Sequence, residues 1–560
     1  MPGGLLNLVS YGNQNIILNG NPSKTFFTCS YSKYTNFGLQ KFRIDFDGQR
    51  ILNMNEPSVY KFKVPRYADL LMDTYLVVNM PNIWSPVMPP ECGAEPGTVK
   101  HTWQPYEFKW IKNLGCQMIE SIRFTVGGQL IQEYTGQYLY NMVERDFDKV
   151  KKELFYKMTG NIAEMNDPAN ANGRVNVYPS AMPGVGVNSA RLGPEPSIRE
   201  RTLYIPLNIW FTLASKMAFP LVSLQYSELE IEVALRPVSD LFQIRNVTGD
   251  ENGSFGYYQK PNFNEWQYQF HRFIHPPPDQ ELGIDSYKDK RTHWHADIHL
   301  LSTYCFLSDD EVRLFASQKQ QYLVREAYST IFHNIVGSKR VDLKSLGMVT
   351  NWMWFLQRSD VNLRNEWSNY SNWPYDFLPY NVITPNGNTE PFSCGGSLYY
   401  PSADLSGNPT GIYVTGDYQQ TNNKEIMQQW ALLLDGKYRE NELAAGVLNY
   451  VEKYVRTSGN GQDGLYCYNF CLNTNPREYQ PSGAINLSKF KNIEFEIKTY
   501  QPVLDASAQF FTICDPSGNI IGVNKPVWNI YEYTYDLTVL EERYNILEFD
   551  SGMAGLKFAR

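Results

Sequence analysis

Residues 227–235, SELEIEVAL, constrain this chain more than any other stretch. Glu228, Glu230 and Glu232 alternate with Leu229, Ile231, Val233 and Leu235, and a period of two puts acids on one strand face and apolar residues on the other. A second stretch repeats the scheme, with Ile493, Phe495 and Ile497 alternating with Glu494, Glu496 and Lys498. Each closes a longer run of similar layout, 204–235 and 466–498. In both, a strand and a polar loop lead to a proline (Pro220 or Pro481), a serine-containing run and the alternating strand. A repeat about 260 residues apart implies two similar sandwich domains, not a solenoid.

Other segments carry the same period. VYKFKV (59–64) alternates Tyr60, Phe62 and Val64 with lysines, and SIRFTVGGQLIQEY (121–134) turns at Gly127-Gly128. FRIDFDGQRIL (42–52) has Asp47-Gly48 between apolar residues, which predicts a hairpin. Helical periodicity is rarer. It predicts one helix over 137–158, with a stripe through Leu139, Met142, Val143, Phe147, Val150, Leu154 and Phe155. A second begins at SDDE (308–311), where Ser308 and Glu311 fit a capping box. With 560 residues, the chain exceeds the ~250–300 that one core organises, so at least two domains are expected. Many short strands and few helices predict an all-β, antiparallel sandwich or barrel class. The stretches 159–200 and 380–425, rich in Asn, Gly, Pro and Ser, read as long surface loops.

Several function classes fall away. A net charge of −8 with no basic block argues against a nucleic-acid surface. The opening MPGGLLNLVSYGNQNIILNGNPSKTFF lacks the basic region and longer apolar core of a secretory signal, and Pro2 stands where myristoylation needs glycine. The best transmembrane candidate, Leu203 to Leu224, is broken by two prolines, Asn208 and Lys216. GNPSKT (20–25) lacks the phosphate-loop spacing, and neither Gly-x-Ser-x-Gly nor His-Glu-x-x-His occurs. No cofactor is implied. The eight cysteines are scattered, as free thiols would be. Cys467 and Cys471 would share a strand face, but a zinc pair needs two further ligands.

Five of the seven histidines cluster at His271, His275, His293, His295 and His299. On a strand, His293, His295 and His299 would share a face with Asp297, giving a structural or interface role, a metal array or a pH-sensing contact. Glycosylation triplets start at Asn246, Asn252, Asn369 and Asn486.

In order and spacing, these motifs resemble the major capsid proteins of large icosahedral double-stranded DNA viruses of eukaryotes. The resemblance rests on GGLLNLVSYGNQNIILNGNPSKTFF, YSKYTNFGLQKFRID, VPRYADLLMDTYLVVNMPNIW, FLSDDEVRLFA, PSGAINLSKFKNIEF and YNILEFDSGMAGLKF. The wording Lys-Thr-Phe-Phe and Tyr-Ser-Lys-Tyr is similar to mimivirus-like members. The resemblance implies a double jelly roll, two eight-stranded antiparallel β-sandwiches side by side, with a few short helices and long surface loops. It divides the chain into an N-terminal arm (1–24), a first roll (25–307), a junction helix (308–318), a second roll (319–548) and a C-terminal tail (549–560).

The same resemblance implies a non-enzymatic virion protein, assembled in host cytoplasm. Its homotrimers would be pseudo-hexagonal capsomers contacting neighbouring capsomers and minor and inner-layer proteins, without direct nucleic-acid contact. Leu5, Leu6, Leu8 and Val9 of the arm would pack under the capsomer. The rival reading is a carbohydrate-binding or carbohydrate-active β-sandwich, which would need a cleft with paired carboxylates.

Overall fold

The computed structural model describes residues 35–46, 48, 51–88, 104–179, 181, 194–245, 258–278, 286–375, 399–403, 409–415, 423–478, 480–502, 504, 511–514, 520–524 and 530–558. Its frame is two pairs of facing sheets. In the first half, β1 (Gly38–Ile44), β3 (Leu70–Met80), β6 (Arg201–Pro206), β7 (Phe219–Pro220) and β9 (His299–Phe306) form one sheet. Its order is β1-β9-β3, with β6 and β7 sharing the far edge of β3. The facing sheet runs β2-β8-β4-β5, from β2 (Ser58–Lys63), β4 (Ile119–Val126), β5 (Gln129–Tyr134) and β8 (Leu229–Leu235).

The second half repeats this plan. β10 (Gln320–Ile335), β12 (Met348–Arg358), β15 (Tyr466–Asn469), β16 (Ile485–Asn486) and β18 (Tyr535–Asp550) lie in the order β10-β18-β12, with β15 and β16 on β12. The facing sheet is β11-β17-β13-β14, from β11 (Ser338–Asp342), β13 (Met427–Leu434), β14 (Lys437–Ala444) and β17 (Ile493–Thr499). Every pairing among these strands is antiparallel. The two alternating Glu strands, β8 and β17, hold the same place in equivalent sheets, so the echo in sequence is a repeat in topology.

The alternation works as expected. Leu229, Ile231, Val233 and Leu235 are buried, and the intervening residues are half-exposed. In the first core they meet Tyr60, Phe62, Ile122 and Phe124. The second core is built on tryptophan: Trp354 stacks on Trp430 at 5.0 Å, and Trp352 meets Phe495 edge-on at 5.0 Å. Such pairs add to the area they bury. The turn between β4 and β5 uses Gly127 and Gly128 at φ 56° and 79°, the left-handed pair of a tight hairpin.

Some expectations do not hold. The strands on either side of Asp47-Gly48 do not pair with each other, since β1 pairs with β9 while β2 pairs with β8 in the facing sheet; Asp47 itself lies outside the described residues. The helix expected over 137–158 is two, α1 (Gly136–Asp146) and α2 (Lys149–Thr159). Phe147 is extended and Asp148 caps α2 by accepting from the Lys151 N–H at 2.8 Å, so Val150 and Leu154 leave the buried stripe and are exposed. The helix α3 (Asp309–Ser317) has Ser308 at its N-cap position, but that side chain makes no capping bond; three acids in the first turn suit the dipole instead.

Of the expected C-terminal tail, residues 549–558 are described. β18 runs to Asp550, and β19 (Met553–Leu556) folds back on it, pairing Leu547 with Leu556. Of the two long loops, most of 380–425 lies outside the described residues. Within it Tyr399–Ala403 pairs with Pro409–Thr415, and 159–200 holds short helical turns at Ala163–Asn166 and Pro168–Gly173.

Candidate functional site

The predicted site residues do not converge. The strand carrying His299 begins only at that residue; His293 and His295 lie in irregular chain before it and are exposed. Asp297 adopts φ 43°, which breaks the alternation that would have put three histidines on one face. Its carboxylate is already held by Arg43 at 2.6 and 3.0 Å, which keeps it below the usual carboxylate range. His299 Nδ1 donates to the Asp297 carbonyl at 2.7 Å. Among the described residues no group of three or more His, Cys, Asp or Glu is placed to hold a metal. Cys467 and Cys471 are both buried, and burial pushes the Cys467 thiol up to about 11, so it stays protonated at neutral pH.

The glycosylation triplets also separate. Asn369 is 1% exposed, donates to the Trp373 carbonyl at 2.8 Å and accepts from the Ser371 hydroxyl at 2.6 Å, leaving no access for a sugar. Asn486 is exposed and caps a turn by accepting from the Ser488 N–H at 3.1 Å. Asn246, Asn252 and the arm residues Leu5, Leu6, Leu8 and Val9 lie outside the described residues.

What the structure does bring together is a buried polar network where the halves meet, and sequence reasoning missed it. Thr135 caps α1 by accepting from the Tyr138 N–H at 3.2 Å. Gly136 must be glycine, since a Cβ there would sit 1.9 Å from the Cys116 carbonyl oxygen. The helix lies on the outer face of the β10-β18-β12 sheet, where Met353, Phe355, Cys467 and Leu540 join the first core. Arg145, fully buried, donates to Glu542 at 2.8 Å, to Asn351 at 2.7 Å and to Asp146 at 2.6 Å. Tyr138 donates to Glu542 at 2.9 Å, Asn351 donates to its other oxygen at 2.8 Å, and Thr474 donates to Asp146 at 2.5 Å.

The carbonyls ending α1 are answered from the second half: the N–H of Gly459 reaches Arg145 at 2.8 Å and that of Gly461 reaches Glu144 at 2.7 Å. Burial alone would lower the Arg145 pKa, but Asp146 and Glu542 hold it well above its ordinary value. Burial would raise Glu542, yet Arg145 and Arg325 hold it below. Burial wins at Asp146, whose carboxyl is raised. Around the network, Trp210 meets Tyr322 and Phe219 meets Phe549 across the same boundary. The signal available in sequence was a charged triplet, Glu144-Arg145-Asp146, ending an amphipathic helix; the partners of Arg145 lie some 200 and 400 residues away, beyond any local pattern.

A second buried cluster stiffens the loop after β12. Asp360 accepts from Arg358 at 2.7 and 2.9 Å and from Arg364 at 3.0 Å, and Arg358 lies over the Tyr533 ring at 3.6 Å. Burial would raise the Asp360 carboxyl, but Arg364 and Arg358 outweigh it and hold it far below the usual carboxylate range. Among the described residues no helix is long and apolar enough to cross a membrane.

Two family models match the chain in tandem: "Major capsid protein N-terminus" over residues 25–262 and "Large eukaryotic DNA virus major capsid protein" over residues 311–555. The major capsid protein of Phaeocystis pouchetii virus is 24% identical over 601 residues, covering 100% of both chains. That of Paramecium bursaria Chlorella virus 1 is 22% identical, again over 100% of both. Among solved structures, the Faustovirus major capsid protein aligns with a TM-score of 0.58 at 15% identity, over 94% of this chain and 92% of that one. A quasi-atomic model of the PBCV-1 virus capsid aligns with 0.57 at 17% identity, over 96% and 100%. At such identities the structural likeness speaks for the fold, a double jelly roll.

Arg145→Ala would take from the buried carboxylates of Glu542 and Asp146 their shared ion-pair partner, and should cost about 3–5 kcal/mol, measurable by chemical denaturation. The Asp360 cluster makes a pH prediction. A carboxyl with a depressed folded pKa contributes stability fully present above its unfolded pKa of about 3.9, lost as pH falls toward the folded value. Asp360→Asn should therefore lower stability at pH 7 and flatten the acid limb of the melting temperature below about pH 4.

Proposed function

The chain belongs to the large eukaryotic DNA virus major capsid protein family, and from that premise we propose that it self-assembles into homotrimeric, pseudo-hexagonal capsomers tiling an icosahedral outer shell. The carrying observation is the repeated sheet order, β1-β9-β3 with β2-β8-β4-β5 and β10-β18-β12 with β11-β17-β13-β14. Two rolls of one plan, locked side by side through Arg145 and Glu542, occupy two adjacent positions of a six-membered ring. Three copies then close it through repeated heterologous contacts. A jelly roll suits this use because pairing its strands into two facing sheets leaves few edge strands to pair with stray ones.

In this reading residues 25–307 and 319–548 are the two rolls, 308–318 the junction, and the long loops stand at the outer end of the capsomer. The role is structural, not enzymatic, the shell is assembled in host cytoplasm, and the partners are neighbouring capsomers with minor and inner-layer proteins. The arm, residues 1–24, packs beneath the capsomer through Leu5, Leu6, Leu8 and Val9. Any sugar on the described sequons is carried by Asn486, the exposed one.

Native mass spectrometry of the purified protein should give three copies, and electron micrographs should show hexagonal particles; a monomer at micromolar concentration would sink the reading. Deleting residues 2–20 should leave those trimers intact while abolishing or strongly reducing shells on expression. Normal shells from the deletion would remove the arm from assembly.

A further inference from the structure

We propose that the 447–456 helix and strand β14 of one copy dock on the outer face of the β1-β9-β3-β6 sheet of a second copy. The proposal rests on the self-assembly read above and adds which surfaces meet. Its source is an asymmetry between two equivalent elements. In each half the last strand of the four-stranded sheet, β5 or β14, leads into a helix with a glycine in its opening turn, Gly136 or Gly446. The second helix passes from Ala445 and Gly446 through a π-turn, Val447–Val451, and continues as Glu452–Arg456.

Counted from those glycines, Tyr140, Asn141 and Arg145 correspond to Tyr450, Val451 and Val455. The first set is buried against the second roll: Tyr140 donates to Gln462 at 2.8 Å, Asn141 to Tyr370 at 2.9 Å, and Arg145 to Glu542. The corresponding residues of the second helix are bare. Tyr450, Val451 and Val455 are 55%, 53% and 57% exposed, and Tyr454, between them on the same face, is 91% exposed. Two tyrosines and two valines at i, i+1, i+4 and i+5 make a continuous apolar stripe in water.

The preceding strands differ in the same way. β5 is half buried, and its Gln132 donates to the Arg325 carbonyl on β10 at 2.9 Å. β14 has no buried residue, and Tyr438 is 49% exposed.

The receiving surfaces complete the parallel. On the second roll, the outward residues Asn351, Met353, Phe355, Leu540 and Glu542 are covered by α1 and its surroundings. On the first roll, the outward side of the equivalent sheet is uncovered along its two margins, where Leu39, Lys41, Thr202 and Tyr204 are exposed, while Tyr75 and Leu301 are half-buried and Val77, Thr303 and Cys305 along its middle are buried. Within the chain, the strand-plus-helix of roll one covers the sheet of roll two. Repeating that step, the strand-plus-helix of roll two covers the sheet of roll one in the next copy. The contact is directional, so it is heterologous, and in the homotrimer proposed above three such contacts close a ring with no end left bare.

Two variants test it, Val455→Glu on the helix and Tyr204→Glu on the sheet. Both positions are exposed in the single chain, so each variant should keep the wild-type melting temperature. Each alone should weaken assembly at least about 100-fold by sedimentation, since a charge is buried without a partner in the contact. Mixed in equal amounts they should form a heterodimer and nothing larger, because only one of the pair's two possible contacts has both surfaces intact. If wild type and both variants are all trimeric, the docking is wrong and self-assembly stands. If each variant is monomeric and the mixture stays monomeric, the two surfaces do not face one another and the pairing is overturned. A monomeric wild type removes the self-assembly reading and the docking with it. Should either variant lose its melting transition, Tyr454→Ser, at the most exposed of these positions, serves in its place, with the same loss of assembly expected and a retained trimer counting against the proposal.

Discussion

The contact between Arg145 and Glu542 is the interaction on which the molecule's architecture depends. Each is buried, and an isolated charge in such a place is costly. The arrangement is tolerable because nearly every valence is answered: Arg145 meets Glu542, Asn351 and Asp146, and Glu542 also receives Tyr138 and Asn351. These partners come from α1, β12 and β18, so the network forms only when both rolls are folded and in register. Apolar area around it, from Trp210, Phe219, Tyr322 and Phe549, supplies attraction without direction. The polar network supplies the direction: one relative placement satisfies it.

That placement gives one chain two faces of opposite status. The same strand-plus-helix device is covered in the first roll and open in the second; the same sheet face is uncovered along its margins in the first roll and covered in the second. A duplicated fold in which both devices were satisfied internally would be a closed monomer. A fold in which one is left over at each end is a building block.

The legible part of the sequence was the part with local periodicity. Ile231 and Val233, or Ile493 and Phe495, declared their burial by alternation, and Gly127-Gly128 declared its turn. Asp47-Gly48 carried a similar local signal and misled, because β1 and β2 each find a distant partner in a different sheet. The histidines misled for a related reason. A period of two has meaning only while the chain stays extended, and the left-handed Asp297 ends it. Asn369 sits in a triplet whose chemistry is right but whose side chain is spent on Trp373 and Ser371.

By itself the sequence determined the strand faces, the tight β4–β5 turn and, through its ordered motifs, the family. Those follow from neighbours two to four residues apart, or from words preserved along the chain. Tertiary structure alone decided which strands pair, where the helix at 137–158 breaks, and that Arg145 faces Glu542 across roughly four hundred residues. It also decided which of two equivalent helices is buried. Covalent order fixes what each segment prefers, but burial of a charge is settled by whichever partners the fold brings within hydrogen-bond reach.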